Sequence, residues 1–506
     1  MADAPKILGT DTLRSAYPKL NAAIDNSNSA LTKATTAETN ATNALTTANE
    51  ANEKSDFTQT QLDQVAGAST IDPAVSQMKV DTEGVTHDSP DARLRADYDK
   101  VMLKTDTLVP KRHIFGGQLA SLKESLANPL EQITGIVFIG DSITWGRTLP
   151  ENAPTEPRDG TLSDPRDYFA SPSYVNEFKR YIGSQYAFNA LPVLSNWPAS
   201  PSGEAIAEYT VQHILYPKGG DFSYSVTGTA TTVVESSTPS SITGFQYRLD
   251  AASTGTGVHV VSFPFTGDRF TLSFGATTDA LSYELFVDGI SQGIFSTTPG
   301  VDGVVTGNDN RREHIFNYVR NKTIRIETRQ AGYVGTGKLR LEGIIVNKKI
   351  RITNQGINGA TSFSYRNNNL AGNTFGDGVA VGTEDNYVFV QIGTNDRIIR
   401  TDTPKGSNTY KGNLKSLLDK ITPLAKVILM CANPAVNESS TTYSFNMERV
   451  RDVVYRTAKE NSLDMIDNHA IFNGVDMNLV TADGLHPNEL GFRIMVRNII
   501  NSLEYT

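Results

Sequence analysis

Three short runs of β-branched and apolar residues constrain this chain more than anything else in it: GIVFIG (135–140), YVFVQIG (387–393) and KVILMC (426–431). Each is apolar on both faces, the pattern of a strand buried on both sides of a parallel sheet. Helical stretches lie between or after them, at Tyr174–Tyr186, Asn413–Ile421, Phe445–Asn461 and Leu490–Leu503. Strands alternating with helices from Ile133 onward predict a doubly wound α/β sheet.

Residues 195–349 break that rhythm. FSYSVTG, FQYRLD, GVHVVSFPF, DRFTLSFG, LSYELFVDG, EHIFNYV and TIRIETR are strand-like segments separated by Gly, Thr, Ser and Asp. Asp288-Gly289 lies between two of them and reads as a tight hairpin turn. We expect an all-β sandwich or jelly roll inserted into the α/β domain, with aromatic residues such as Tyr224, Phe245 and Tyr247 in its core.

The N-terminal part has a different period. From about residue 10 to 66 the chain is rich in Ala, Thr, Asn and Ser, with no Gly or Pro between Asn21 and Val65. One track of residues seven apart reads Ala23, Ala30, Ala37, Ala44, Ala51, Thr58 and Val65; a second reads Leu20, Ser27, Ala34, Ala41, Ala48, Ser55 and Leu62. Interleaved, they form the a/d seam of a slender coiled coil, widened by Ile24, Leu31 and Leu45. So thin a seam buries too little area for a lone helix, so it calls for partner chains, and we expect a homotrimer. At 506 residues the chain exceeds one ordinary core. The expected division is a stalk over 1–70, a connector over 71–130, the two parts of the α/β domain at 131–194 and 350–506, and the insertion at 195–349.

Composition excludes other classes. A net charge of −9, with no basic stripe interleaved with aromatics, argues against nucleic acid as the main partner. No apolar run is long enough to span a membrane, and the N-terminus carries no secretory pattern. The single cysteine, Cys431, rules out an intramolecular disulfide and reads as a buried structural thiol.

Four motifs fall at strand ends, where open α/β sheets place their ligands. Gly140-Asp141-Ser142-Ile143-Thr144 follows GIVFI, so Ser142 can present its hydroxyl at the carboxyl end of a buried strand. Asp483-Gly484-Leu485-His486-Pro487 puts a carboxylate one turn before an imidazole, able to fix its tautomer and stabilise its protonated form. Pro487 suits the first turn of the helix that follows. Gly393-Thr394-Asn395-Asp396 offers an Asn amide as donor to an oxyanion. In Asn354-Gln355-Gly356-Ile357-Asn358-Gly359, a glycine leaves a backbone N–H unobstructed. Asp467 and His469 form a rival acid–base pair with a less suitable spacing.

Together these four blocks resemble the SGNH (GDSL-type) serine hydrolases over residues 133–195 and 350–506. The resemblance implies a flavodoxin-like sheet with Ser142 as nucleophile and Asp483 and His486 completing the triad. It implies an oxyanion hole made by the N–H of Ser142, the N–H of Gly359 and the amide of Asn395, with no metal and no cofactor. Gly359, rather than Gly356, matches the family's Asn-x-x-x-x-Gly pattern. Ile143-Thr144 stands where the family often has Leu-Ser.

The segment SPDARLRADYDKV (89–101) resembles the connector of tail and appendage proteins in phages of Gram-positive bacteria. With the fibrous N-terminus it places the expected enzyme on a virion, attached through that end to other tail proteins. There it would remove O-acetyl groups from a bacterial cell-surface polysaccharide or teichoic acid. The alternatives are a receptor-binding fibre that grips glycan without chemistry and a metallophosphoesterase using Asp141, Asp396, Asp483 and His486.

Overall fold

A computed structural model describes residues 116–148, 164–196, 204–218, 220–227, 233–251, 258–329, 337–366, 381–399, 406–436 and 438–506, with scattered positions between 27 and 96. The chain divides into two compact units, Met1–Lys111 and Arg112–Thr506. In the first, the described positions between 27 and 43 are helical and exposed. The hydroxyls of Thr32, Thr36 and Thr39 donate to carbonyls one turn back. Apart from Ser27, both heptad tracks lie outside the described residues.

In the second unit, α1 (Gln118–Ala127) leads to β1 (Ile133–Gly140), α2 (Ser142–Trp145) and α3 (Tyr174–Tyr186). Next come β2 (Val193–Ser195), β3 (Ile206–Leu215), β4 (Ser223–Thr227), β5 (Val233–Ser237), β6 (Phe245–Ala251) and β7 (Val258–Ala276). They are followed by β8 (Ser282–Val287), β9 (Ile290–Phe295), β10 (Gly307–Arg329) and β11 (Gly337–Asn354). The chain ends with α4 (Ser362–Arg366), β12 (Asp385–Gln391), α5 (Ser407–Ile421), β13 (Lys426–Cys431), α6 (Met447–Glu460), β14 (Asp464–Asp467), α7 (Met477–Val480) and α8 (Glu489–Glu504). None of the described helices is long and apolar enough to cross a membrane.

The parallel sheet runs β14-β13-β12-β1-β11. β1 and β12 are buried along their whole lengths, which is why their sequences carry no polar alternation. Two segments outside the expected boundaries belong to this region. Leu119, Leu122 and Leu126 of α1 enter its core, so the α/β region begins within the stretch read as a connector. Lys348 joins that helix to the sheet: its ammonium donates to the carbonyls of Ser125, Asn128 and Glu131 and to the Thr134 hydroxyl, a cation at a helix C-terminus. β3, expected within the insertion, instead pairs antiparallel with Val346–Thr353 of β11 and sends Ala207 and Tyr209 into the α/β core.

The insertion is not closed off at residue 349. β11 is one continuous strand whose first part pairs with β6 and β7 and whose last part pairs with β1 and β3. GVHVVSFPF and DRFTLSFG merge into β7, and EHIFNYV and TIRIETR merge into β10. Both long strands are irregular, with register shifts between Ile315 and Lys322. The rings of Phe263 and Phe270 lie 5.7 Å apart, although seven residues of straight strand span roughly 23 Å. The strand therefore bends near Gly267, and both of its arms fill one apolar cluster with Leu285, Ile324, Ile326, Leu339 and Leu341. Asp288 and Gly289, at φ 50° and 79°, make the two-residue turn between β8 and β9. Tyr224 and Tyr247 stack on each other against this core, while Phe245 stays 44% exposed.

Candidate active site

The parallel strands all end at one edge, and β1 lies between β11 and β12, where chain order reverses. Such a switch point leaves a crevice between loops at the strand ends. The loops that meet here follow β1, β11 and β12, joined by the segment before α8.

Ser142 begins α2 directly after the end of β1, and Asp141 caps that helix by accepting the Ile143 N–H at 3.0 Å. The Gln391 amide donates to the other oxygen of Asp141 at 3.2 Å, and its own oxygen accepts from Thr144, which also contacts Tyr174 at 2.8 Å. Burial pushes the Asp141 carboxyl up, against these hydrogen bonds and the nearby His486.

Ser142 is 3% exposed, and its Oγ lies 2.8 Å from Nε2 of His486. Nδ1 of that ring lies 2.7 Å from Asp483, whose second oxygen accepts the backbone N–H groups of His486 and Leu485. Burial raises the Asp483 carboxyl, but the hydrogen bonds from the His486 ring and backbone outweigh it and hold the group well below the usual carboxylate range. Pro487 is not in the helix: α8 begins at Glu489 and Asn488 is its cap. The histidine is fixed instead by the Thr481–Pro487 bridge and by Asn433, which donates to the Leu485 carbonyl at 2.8 Å.

The two glycines after β11 separate cleanly. Gly356 donates its N–H to Asn354 and accepts from Arg166, so both of its backbone groups are committed. A Cβ there would lie 2.3 Å from the Trp145 nitrogen, so glycine is required for α2 to pack. Gly359 sits at φ 79° on the rim, and no described residue accepts its N–H. Asn395 donates one amide hydrogen to the Ala360 carbonyl at 2.9 Å. An amide nitrogen carries two, so a second donor is left over. The structure thus brings Ser142, Asp483 and His486 into one hydrogen-bonded chain and sets the Gly359 and Asn395 loops against each other.

Asp467 is turned elsewhere: it pairs with Arg451 at 2.7 Å and accepts from the Cys431 thiol at 3.1 Å. Cys431 is buried, and burial pushes its thiol well up. Asp396 accepts from the backbone and hydroxyl of Ser362, and burial raises its carboxyl to about 6. Asp141, Asp396 and Asp483 thus face three separate sets of neutral or imidazole donors. Among the described residues no three His, Cys, Asp or Glu side chains are grouped to hold a metal. Sequence reasoning passed over Gln391, whose signal was an amide in an otherwise apolar strand, and Ser362, which had none.

No curated protein matches the chain by sequence. Among solved structures it is similar to a peptidoglycan O-acetylesterase, at 13% identity and TM-score 0.35, over 78% of this chain and 98% of that one. It is also similar to an acetylxylan esterase from Geobacillus stearothermophilus, at 24% identity and TM-score 0.25, over 31% of this chain and 74% of that one. Residues 338–494 match the GDSL-like Lipase/Acylhydrolase family, from β11 through Asn395 to His486, and the chain therefore carries a GDSL-like lipase/acylhydrolase domain.

Proposed function

We propose that this protein is a serine esterase that removes O-acetyl groups from a bacterial cell-surface glycan. The observation that carries the esterase reading is the Ser142–His486–Asp483 chain, with heavy-atom distances of 2.8 and 2.7 Å. His486 takes the Ser142 proton as Oγ attacks the ester carbonyl, and Asp483 stabilises the imidazolium. The oxyanion is received by the N–H groups of Ser142 and Gly359 and the free amide hydrogen of Asn395. His486 then protonates the departing sugar oxygen as the C–O bond breaks, giving the free hydroxyl, and water activated by the same ring releases acetate from the acyl-enzyme. The glycan substrate and the place on a phage tail or neck appendage, as a homotrimer bound through its N-terminus, rest on the heptad seam and the connector-like segment.

Acetate release from Gram-positive cell-wall polysaccharide, compared between wild type and Ser142→Ala, tests this reading. Wild type should release acetate, and the variant should lose on the order of 10⁶-fold in rate with its fold intact. Cleavage of an aryl acetate alone would keep the esterase and discard the glycan. Inactivity on every ester would favour a glycan-binding fibre.

A further inference from the structure

Asn395 and Asp396 occupy a single turn after β12, and both reach across the crevice to the loop after β11. Asn395 holds the Ala360 carbonyl. Asp396 receives the Ser362 N–H at 3.0 Å and the Ser362 hydroxyl in a short contact. Gly359 lies directly before the first of these anchor points, and α4 begins at the second. From α4, Tyr365 donates to the Gly140 carbonyl at 2.7 Å, two residues before the nucleophile. The turn itself is braced from behind, where Arg397 donates to the Thr394 carbonyl at 3.0 Å and pairs with Glu438 across to the loop after β13. Each proposed oxyanion donor thus sits on a different loop, and α4 is the piece that touches all three.

We infer that Asp396 is a positioning residue: by clamping Ser362 it holds the Gly359 N–H and the Asn395 amide in register with Ser142. This rests on the esterase reading of the same site. Asp396 touches no reacting atom; it acts through α4 and the loop before it. Misplacing a donor by about 1 Å can cost ~10²-fold in rate without weakening ground-state binding, because the donor matters most once charge develops on the carbonyl oxygen.

The experiment compares steady-state hydrolysis of an aryl acetate, and the rate of Ser142 labelling by an aryl phosphonate, in wild type, Asp396→Ala, Asp396→Asn and Ser362→Ala. Asp396→Ala should lower kcat by roughly 10–10²-fold with KM within about twofold of wild type, and labelling should slow in parallel. Asp396→Asn keeps an acceptor oxygen in place and should recover most of kcat. Ser362→Ala, which removes only the hydroxyl arm, should fall between them and serves as the test if Asp396→Ala does not fold. Active wild type with an Asp396→Ala enzyme of unchanged kcat would overturn the clamp and leave the esterase standing. An Asn variant as impaired as the Ala variant would also overturn it. Wild type that neither cleaves the ester nor is labelled at Ser142 would overturn both.

Discussion

β11 passes through two regions that use one strand in different ways. Its last residues place Ile350 and Ile352 in the α/β core, between β1 and β3. Its first residues place Leu339, Leu341 and Ile344 in the separate cluster of the insertion, between β6 and β7. The hydrogen bonds described for Ser142, Asp483, His486 and Asn395 all come from the α/β region. The two regions share a backbone but not a core, so a fault in one core should be felt as stability and a fault at the strand ends as rate.

Beyond Ser142 itself, the largest expected effect is in the segment before α8. Asp483→Asn keeps the shape of the side chain but loses the charge that favours the imidazolium, and kcat on an aryl acetate should fall about 10⁴-fold with Tm little changed. A fall in Tm without the rate loss would make Asp483 a structural cap instead. Because its folded pKa lies below the ordinary value, wild-type Asp483 also contributes stability that is complete above the unfolded carboxylate pKa. That contribution is lost as pH falls through the folded value, and the Asn variant should not show that loss.

Phe270→Ala probes the other region. The ring is 2% exposed and touches Phe263, Phe265 and Phe316, so its removal should cost about 3–5 kcal/mol in a denaturant titration. The folded variant should keep wild-type kcat on an aryl acetate. A matching drop in kcat would show that the shared strand couples the two cores.

The smallest effect sharpens the contrast within the site. Burial raises Asp396 to about 6, with repulsion from Asp141 adding to it. A carboxyl raised on folding is a cost above its folded pKa that is relieved as pH falls toward the unfolded value, here between about 6 and 4. Wild type should therefore gain on the order of 2–3 kcal/mol relative to Asp396→Asn as pH drops from 7 to 4. Parallel Tm curves for the two proteins would show that Asp396 carries no such burden.

Much of this was written in the residues themselves. The strands ending at Gly140, Gln391 and Cys431 were legible because burial on both faces leaves a central run of apolar residues. Ser142, Asn395 and the Asp483/His486 pair were legible because each is local, a residue at a strand end or two residues one turn apart. The hairpin at Asp288-Gly289 was readable for the same reason, since left-handed φ values restrict the residue types that fit. Tertiary structure decided what depends on partners far along the chain. Ser142 and His486 are 344 residues apart, and only the folding of β1 beside β11 and β12 brings them together. β3 joined the α/β sheet because its pairing edge on β11 was free, which no residue in β3 announces. β7 became a long bent strand because aromatic residues on either side of Gly267 could share one core, and β10 pairs with it along both arms. The role of Asp396 was hidden for the same reason: its meaning lies in Ser362, a serine that no local pattern distinguishes.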